Sequence, residues 1–185
     1  MISVSIDGFF EGPNREIDWH CVDDQLHRHL NEQLAPMGGF LDGRVTYQLM
    51  ADFWPTADAD PASTPTVAEF ARIWREMPKW VFSSTLTSAD WNTTVVREVV
   101  VDDILALKAE AGGDLVVGGA ILAATFMRHD LIDEYWLYVH PVVLGDGHPF
   151  WPAGYDVTLD LTHTQTFGNG VVLLRYQPRP AVQRG

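Results

Sequence analysis

Apolar and polar positions along the chain alternate between two periods, and the changes of period mark the elements. Residues Ile2–Ile6 read as a strand, and Asp7–Val22 as a long loop broken by Gly8, Gly12 and Pro13. A loop of that length in a compact fold is often functional. Asp23 can cap a helix running to about Ala35, with Leu26, Leu30 and Leu34 on one face. "GGFLDG" predicts a short strand, and "RVTYQLMADFW" a short helix stopped by Pro55. The small, polar, proline-rich residues Pro55–Thr66 predict a surface loop, followed by a helix over Val67–Glu76.

Further along, "KWVFSST" and "TVVREVVV" predict two buried strands, and "DDILALKAEA" a helix with Asp at its start and Gly112-Gly113 beyond its end. "DLVVG" is a strand running straight into the helix "AILAATFMRHD". "DEYWLYVHPVVLG" reads as one long strand, "GDGHPF" as a turn, and "VTLDLTHTQTF" with "GVVLLRYQ" as a hairpin closed over "GNG". Strands and helices alternate through the first two thirds, and strands dominate the end. That order predicts an α/β fold with a mainly parallel central sheet, helices on both faces and an antiparallel C-terminal hairpin at one edge.

The length of 185 residues fits one domain over 1–185, and 46% hydrophobic residues suit a globular core. A net charge of −13 opposes nucleic-acid and anionic-membrane partners, so basic contacts to an anionic ligand should be local. No apolar run has the length of a membrane span, and the N-terminus "MISVSIDGFF" lacks a signal-peptide pattern. With Cys21 as the lone cysteine, a cytoplasmic protein is expected.

Three segments, "FLDGRVTY", "WVFSST" and "LVVGGAIL", share one design: a buried strand followed by small or hydroxyl residues. In open parallel sheets ligands bind at the carboxyl ends of the strands. If these strands are neighbours, Gly43, Arg44, Thr46, Ser83, Ser84, Gly118 and Gly119 converge on one rim. Glycines let backbone approach phosphate, helix N-termini offer free N–H groups, and Arg and Ser hold phosphate oxygens, a set that suits a dinucleotide. Other chemistries lack their spacing. His27 and His29 are roughly 200° apart around a helix. His20 beside Cys21 has no partner pair at ligand spacing, and no metal site is expected. Nucleophile-elbow and P-loop motifs are absent, and His140 and His148 are expected to be structural.

The motifs "SIDGF" (Ser5–Phe9), "DW" (Asp18, Trp19), "GRVTY" (Gly43–Tyr47), "FSST" (Phe82–Thr85), "VVGGAIL" (Val116–Leu122), "LIDEYWL" (Leu131–Leu137) and "HPVVLGDGHPF" (His140–Phe150) follow one another across nearly the whole chain. In this order they resemble the dihydrofolate-reductase-like family that includes the reductase domain of riboflavin biosynthesis and its stand-alone bacterial relatives. The resemblance implies NADPH as cofactor. Gly43, Arg44 and Thr46 would hold its phosphate side, and Ser83 and Ser84 would lie near the 2′-phosphate. Gly118 and Gly119 would pass beneath the pyrophosphate and nicotinamide ribose, with Ala120 and Ile121 completing the set. Relatives join the equivalent glycines by a cis peptide bond, so a cis Gly118–Gly119 bond is expected.

The chain departs from its relatives in places. Val45 stands where they often have a second basic residue, and Ala120 where some have a third glycine. The acidic segment of true riboflavin-pathway reductases and the zinc signature of their deaminase half are missing, so the substrate need not be the riboflavin intermediate. Ser5, Asp7, Asp18 and Trp19 are the expected substrate contacts, with Phe9, Phe10 and Trp54 as further aromatic candidates. By its spacing after Trp19, Asp24 matches the carboxylate that contacts the pterin in dihydrofolate reductases, and is the candidate proton donor. Asp7, Asp18 or water are the alternatives, and a helix-terminal role for Asp23 and Asp24 is the competing reading. The implied activity is hydride transfer from NADPH to a small heterocyclic or carbonyl substrate of pterin or aminopyrimidine type. A non-catalytic ligand-binding protein on the same fold is the alternative. A homodimer built on the long strand and the terminal hairpin is expected.

Overall fold

The computed structural model describes residues 1–179. In chain order the elements are β1 (Ile2–Ser5), β2 (Phe9–Glu11), α1 (Asp24–Leu34), β3 (Gly39–Gly43), α2 (Arg44–Phe53), a 3-10 helix (Trp54–Ala59), α3 (Pro65–Glu76), β4 (Lys79–Phe82) and β5 (Thr93–Val96). They continue with α4 (Val101–Glu110), β6 (Leu115–Gly118), α5 (Ala120–Arg128), β7 (Tyr135–His140), β8 (His148–Pro149), β9 (Leu159–Thr166) and β10 (Val172–Pro178). The chain forms two compact units, one of Val22–Thr125 and one that combines Met1–Cys21 with the segment from Phe126 onward.

In the Val22–Thr125 unit four strands pair in parallel, in the order β5-β4-β3-β6. Parallel neighbours need crossovers: α2 and α3 lie between β3 and β4, α4 between β5 and β6, and a loop of residues 83–92 joins β4 to β5. Two of the helices, α1 and α3, start on side-chain caps. Asp23 accepts the Leu26 N–H at 2.8 Å, and Thr64 accepts the Val67 N–H at 3.3 Å one residue ahead of Pro65. Leu26, Phe40, Leu41, Phe70, Trp74, Val81 and Ile104 form the core of this unit. Tyr47 stacks on Trp74 and ties α2 down through its hydroxyl, which bonds both the N–H and the carbonyl of Asp90 at 3.0 Å.

In the other unit the strand order is β1-β7-β10-β9, with β1 parallel to β7 and the remaining pairs antiparallel. The hairpin closes through Phe167 N–H to the Val171 carbonyl, and Gly170 turns it at φ +88°. Val4, Phe126, Leu137, Tyr138, Val171 and Leu173 are buried here. The α/β class, the parallel sheet and the antiparallel hairpin match the expectation from the sequence.

Several boundaries differ from it. The long strand over Asp133–Gly145 is shorter, Tyr135–His140, because Pro141 has no N–H and the Asp7 carboxylate takes the N–H groups of Leu144 and Gly145. Within the long loop, Phe9–Glu11 pairs with His148–Pro149 as a short antiparallel ladder. The proline-rich loop opens with a 3-10 turn, its proline at the start of the helix where no N–H is missed.

Candidate functional site

Strand register sets the geometry of the candidate rim. Asp42 lies opposite both Val81 and Gly118, and Gly43 opposite Phe82, so β3, β4 and β6 end flush. That register brings Gly43, Ser83 and Gly118 to one carboxyl edge, as the sequence pattern anticipates. Two helices start there with almost no loop: α2 begins at Arg44, directly after β3, and α5 at Ala120, one residue after β6. Their first N–H groups have no intrahelical partners and carry the positive end of the helix dipole.

The three glycines at this edge are glycine for different reasons. Gly119 has φ +87°, a left-handed conformation that a side chain would strain. A Cβ on Gly119 would also stand 2.4 Å from Thr46 Oγ1. A Cβ on Gly118 would stand 2.0 Å from Asp42 Oδ1. Gly43 has an ordinary extended backbone, φ −71° and ψ 153°, and its added Cβ would find only Leu122 Cβ at 3.9 Å. Apart from a mild preference as the N-cap of α2, nothing in the folded chain calls for glycine at that position. The Gly118–Gly119 bond is trans, as is every peptide bond among the described residues, which corrects the cis expectation; the left-handed Gly119 alone turns the chain from β6 into α5.

Around this edge Arg44 is exposed and donates from Nη1 to Gln48 Oε1 at 2.6 Å. Thr46 is half-buried, Ala120 buried and Ile121 exposed. Ser83 is buried, and its Oγ accepts N–H groups of Thr85 and Leu86 at 3.2 and 2.9 Å, so it shapes the turn that presents the exposed Ser84. Arg97 was not anticipated. It donates from Nη1 to the carbonyls of Ser83 and Leu86 at 3.2 and 2.6 Å and so places a guanidinium beside this turn. Its place inside the apolar run "TVVREVV" was the one available signal.

Asp42 was also missed. Its side chain is 4% exposed at the end of β3, and burial pushes its carboxyl up to about 7 against the opposing pull of Lys79. Lys79 is buried on β4. Its Nζ donates to the Met77 carbonyl at 2.6 Å and stands 4.5 Å over the Trp74 ring, and desolvation brings it down to about 8. An Asp inside the apolar "GGFLDG" strand was the sequence signal.

Asp24 sits exposed in the first turn of α1, ion-paired with Arg28, and accepts the Thr66 hydroxyl at 2.6 Å. Those are the bonds of a helix terminus tied to α3. Trp54 packs edge-on against Phe70 and Phe53, at 4.4 and 4.9 Å between centroids. A separate hollow of about 390 Å³ beside the 3-10 helix is edged by Asp52 and Asp60, whose charges oppose an anionic ligand.

The remaining candidates belong to the other unit. Ser5 is buried at the end of β1 and accepts the Phe9 N–H at 3.0 Å. The Ser5 hydroxyl, followed by the N–H groups of Gly145 and Leu144, holds the Asp7 carboxyl below its usual range. Asp18 is exposed. Trp19 is half-buried and meets the rings of His20 and His140 edge-on, at 4.3 and 5.6 Å between centroids. His140 is fully buried and stacks on His20 at 5.1 Å, while its Nδ1 accepts the Cys21 N–H at 2.9 Å.

Comparison with known proteins bears on the family and the fold. The model of the RibD C-terminal domain family matches residues 1–173. The chain belongs to that family. An uncharacterized protein of Bacillus subtilis, YyaP, is 33% identical over 177 residues, 95% of this chain and 91% of its own. Among solved structures, a putative riboflavin biosynthesis protein from Shewanella sp. PV-4 superposes with a TM-score of 0.70 at 22% identity, covering 96% of each chain. A dihydrofolate reductase from Enterococcus faecalis, complexed with NADP(H), superposes at 0.61 with 15% identity, over 96% of this chain and 93% of that one. At such identities the likeness is one of fold. The RibD C-terminal family and the dihydrofolate reductases share this fold. Among the described residues no helix is long and apolar enough to cross a membrane.

Proposed function

We propose that this chain is an NADPH-dependent reductase acting on a small heterocyclic or carbonyl substrate of pterin or aminopyrimidine type. The observation that carries the reading is Gly43. Its backbone is ordinary and the space at its Cβ is open, yet it stands where two helix N-termini and three flush strand ends meet. A glycine that the fold does not require leaves room for a ligand to approach the backbone. A dinucleotide phosphate fits that room. The first N–H groups of α2 and α5 would bond its oxygens, and Arg44 would add charge from the same helix end. Ser84 and Arg97 would flank the 2′-phosphate, which supports NADPH over NADH.

Bound NADPH supplies a hydride. The chain's part is to hold the phosphates at the strand ends, to keep Gly118 and Gly119 against Asp42 and Thr46, and to exclude water from the buried side of the rim. The Arg28 and Thr66 bonds of Asp24 favour a proton taken from water over one taken from that carboxyl. The same observation favours a second reading, a dinucleotide-binding protein without turnover. The two are separated by following NADPH oxidation with a panel of dihydropterins and aminopyrimidines, with Arg44→Ala as control. Oxidation dependent on one of these substrates, reduced in the variant, supports the reductase. Tight NADPH binding with no oxidation across the panel supports the second reading.

A further inference from the structure

We propose that Asp42 is a positioning residue of this rim: neutral, it supports the Gly118–Gly119 turn, and ionised, it opposes the phosphates of an incoming dinucleotide. The inference rests on the reading of the rim as a dinucleotide site. Strand register sets the position of the carboxyl. Asp42 on β3 lies opposite Gly118 on β6, and its Oδ1 fills the volume that a Cβ on Gly118 would occupy, 2.0 Å away. Thr46, from the first turn of α2, fills the corresponding volume at Gly119 with its Oγ1 at 2.4 Å. The two side chains form the floor of the turn. The floor therefore carries a carboxyl at the place where a dinucleotide would bring negative charge.

The groups that face this carboxyl are few. On β6 it stands against Gly118, which Thr46 of α2 approaches as well, and neither residue titrates. From β4 it meets Val81, its partner in register, and the charge of Lys79. The Lys79 ammonium is engaged by the Met77 carbonyl and the Trp74 ring, so it acts on Asp42 through its field. Burial outweighs that field and brings the carboxyl up to about 7, so near neutral pH both forms are present. In a water-poor site a second negative charge nearby favours the neutral form further. Binding an anionic dinucleotide then draws a proton from solvent onto Asp42, and affinity falls as pH rises through the range where the free carboxyl ionises.

The test is a fluorescence titration of the purified protein with NADPH and with NADH at a series of pH values, on wild type and Asp42→Asn. The Asn amide keeps the shape and stays neutral. For wild type the Kd rises about fivefold or more between about pH 6.5 and 8.5. For Asp42→Asn it stays flat, near the wild-type value at low pH. NADH lacks the 2′-phosphate, so the same slope with NADH assigns the effect to the protein. Calorimetry at about pH 7.5 in buffers of different ionisation enthalpy shows proton uptake on binding to wild type and none to the variant. If Asp42→Asn does not fold, Asp42→Ser, smaller and equally uncharged, takes its place in the same titrations, with the same flat profile expected. A flat wild-type profile with binding intact overturns the role of Asp42 and leaves the dinucleotide reading standing. An equal slope in Asp42→Asn also overturns it and assigns the effect to another group. Absence of binding of either nucleotide at every pH overturns both.

Discussion

Replacing Gly43 with Ala separates what the fold needs from what a ligand needs. At φ −71° and ψ 153° alanine is unstrained, and its Cβ would meet only Leu122 Cβ at 3.9 Å. Loss of glycine's freedom in the unfolded chain stabilises by about 0.4–1 kcal/mol. Alanine is a poorer N-cap than glycine for α2, which costs a similar amount, so the net change lies within about 1 kcal/mol. For a chain of this length that is a Tm shift of no more than about 4 °C. Gly119→Ala is the contrast. There the left-handed backbone alone costs about 1–2 kcal/mol, and the contact with Thr46 Oγ1 at 2.4 Å adds to it. Thermal melts should rank Gly43→Ala near wild type and Gly119→Ala several degrees below. In a nucleotide titration the added methyl of Gly43→Ala should weaken NADPH at least about tenfold, or about 1.4 kcal/mol. A Gly43→Ala protein that melts below Gly119→Ala, or that keeps its NADPH affinity within about twofold, refutes the argument.

Other predictions follow from the same contacts. Burial, then the charge of His20, holds the His140 ring down to about 4 against an ordinary 6.5. Stability is therefore full above about 6.5 and is lost as pH falls toward 4, by about 3 kcal/mol for this group. Urea denaturation across that range should show the loss in wild type and a smaller one in His140→Asn; parallel losses would exclude His140 as the cause. Asp24→Asn keeps an acceptor for Thr66 and loses an exposed ion pair, so stability should change by less than about 1 kcal/mol with turnover retained. Lost turnover with intact NADPH binding would instead make Asp24 the proton donor. Arg97→Ala should loosen the Ser83–Leu86 turn and weaken NADPH more than NADH, read from the ratio of their Kd values; an unchanged ratio removes Arg97 from 2′-phosphate recognition. Among the described residues β9 pairs with β10 alone and leaves Leu161 about half exposed, which supports a homodimer through this edge. Light scattering should then give twice 20.7 kDa, and a single-chain mass would exclude the dimer.

The elements most legible in the sequence were those whose signal is local. Asp23 announces α1 by its chemistry, and the "GNG" between two alternating runs announces the terminal hairpin. The rim was legible because each of its strands ends in a small or hydroxyl residue, and parallel register then brings those ends level. Where a distant partner decides the local structure, the pattern misleads. The apolar run after His140 reads as strand, yet Pro141 and the Asp7 carboxylate, far away in sequence, turn it into a loop. Asp42 and Arg97 were hidden for the opposite reason: each is a charge within an apolar stretch, and only burial and register reveal what it faces. Asp24 matched a spacing, but its Arg28 and Thr66 partners come from helix geometry that the spacing alone does not contain.

The most direct test of the central claim is a titration of the purified chain with NADPH and NADH, followed by quenching of its seven tryptophans and energy transfer to the nicotinamide. Saturable, micromolar-range NADPH binding is expected, weaker for NADH, and weakened again by Arg44→Ala and Gly43→Ala. Absence of binding by either nucleotide at every pH would contradict that claim, leaving the glycines at these strand ends as features of the fold alone.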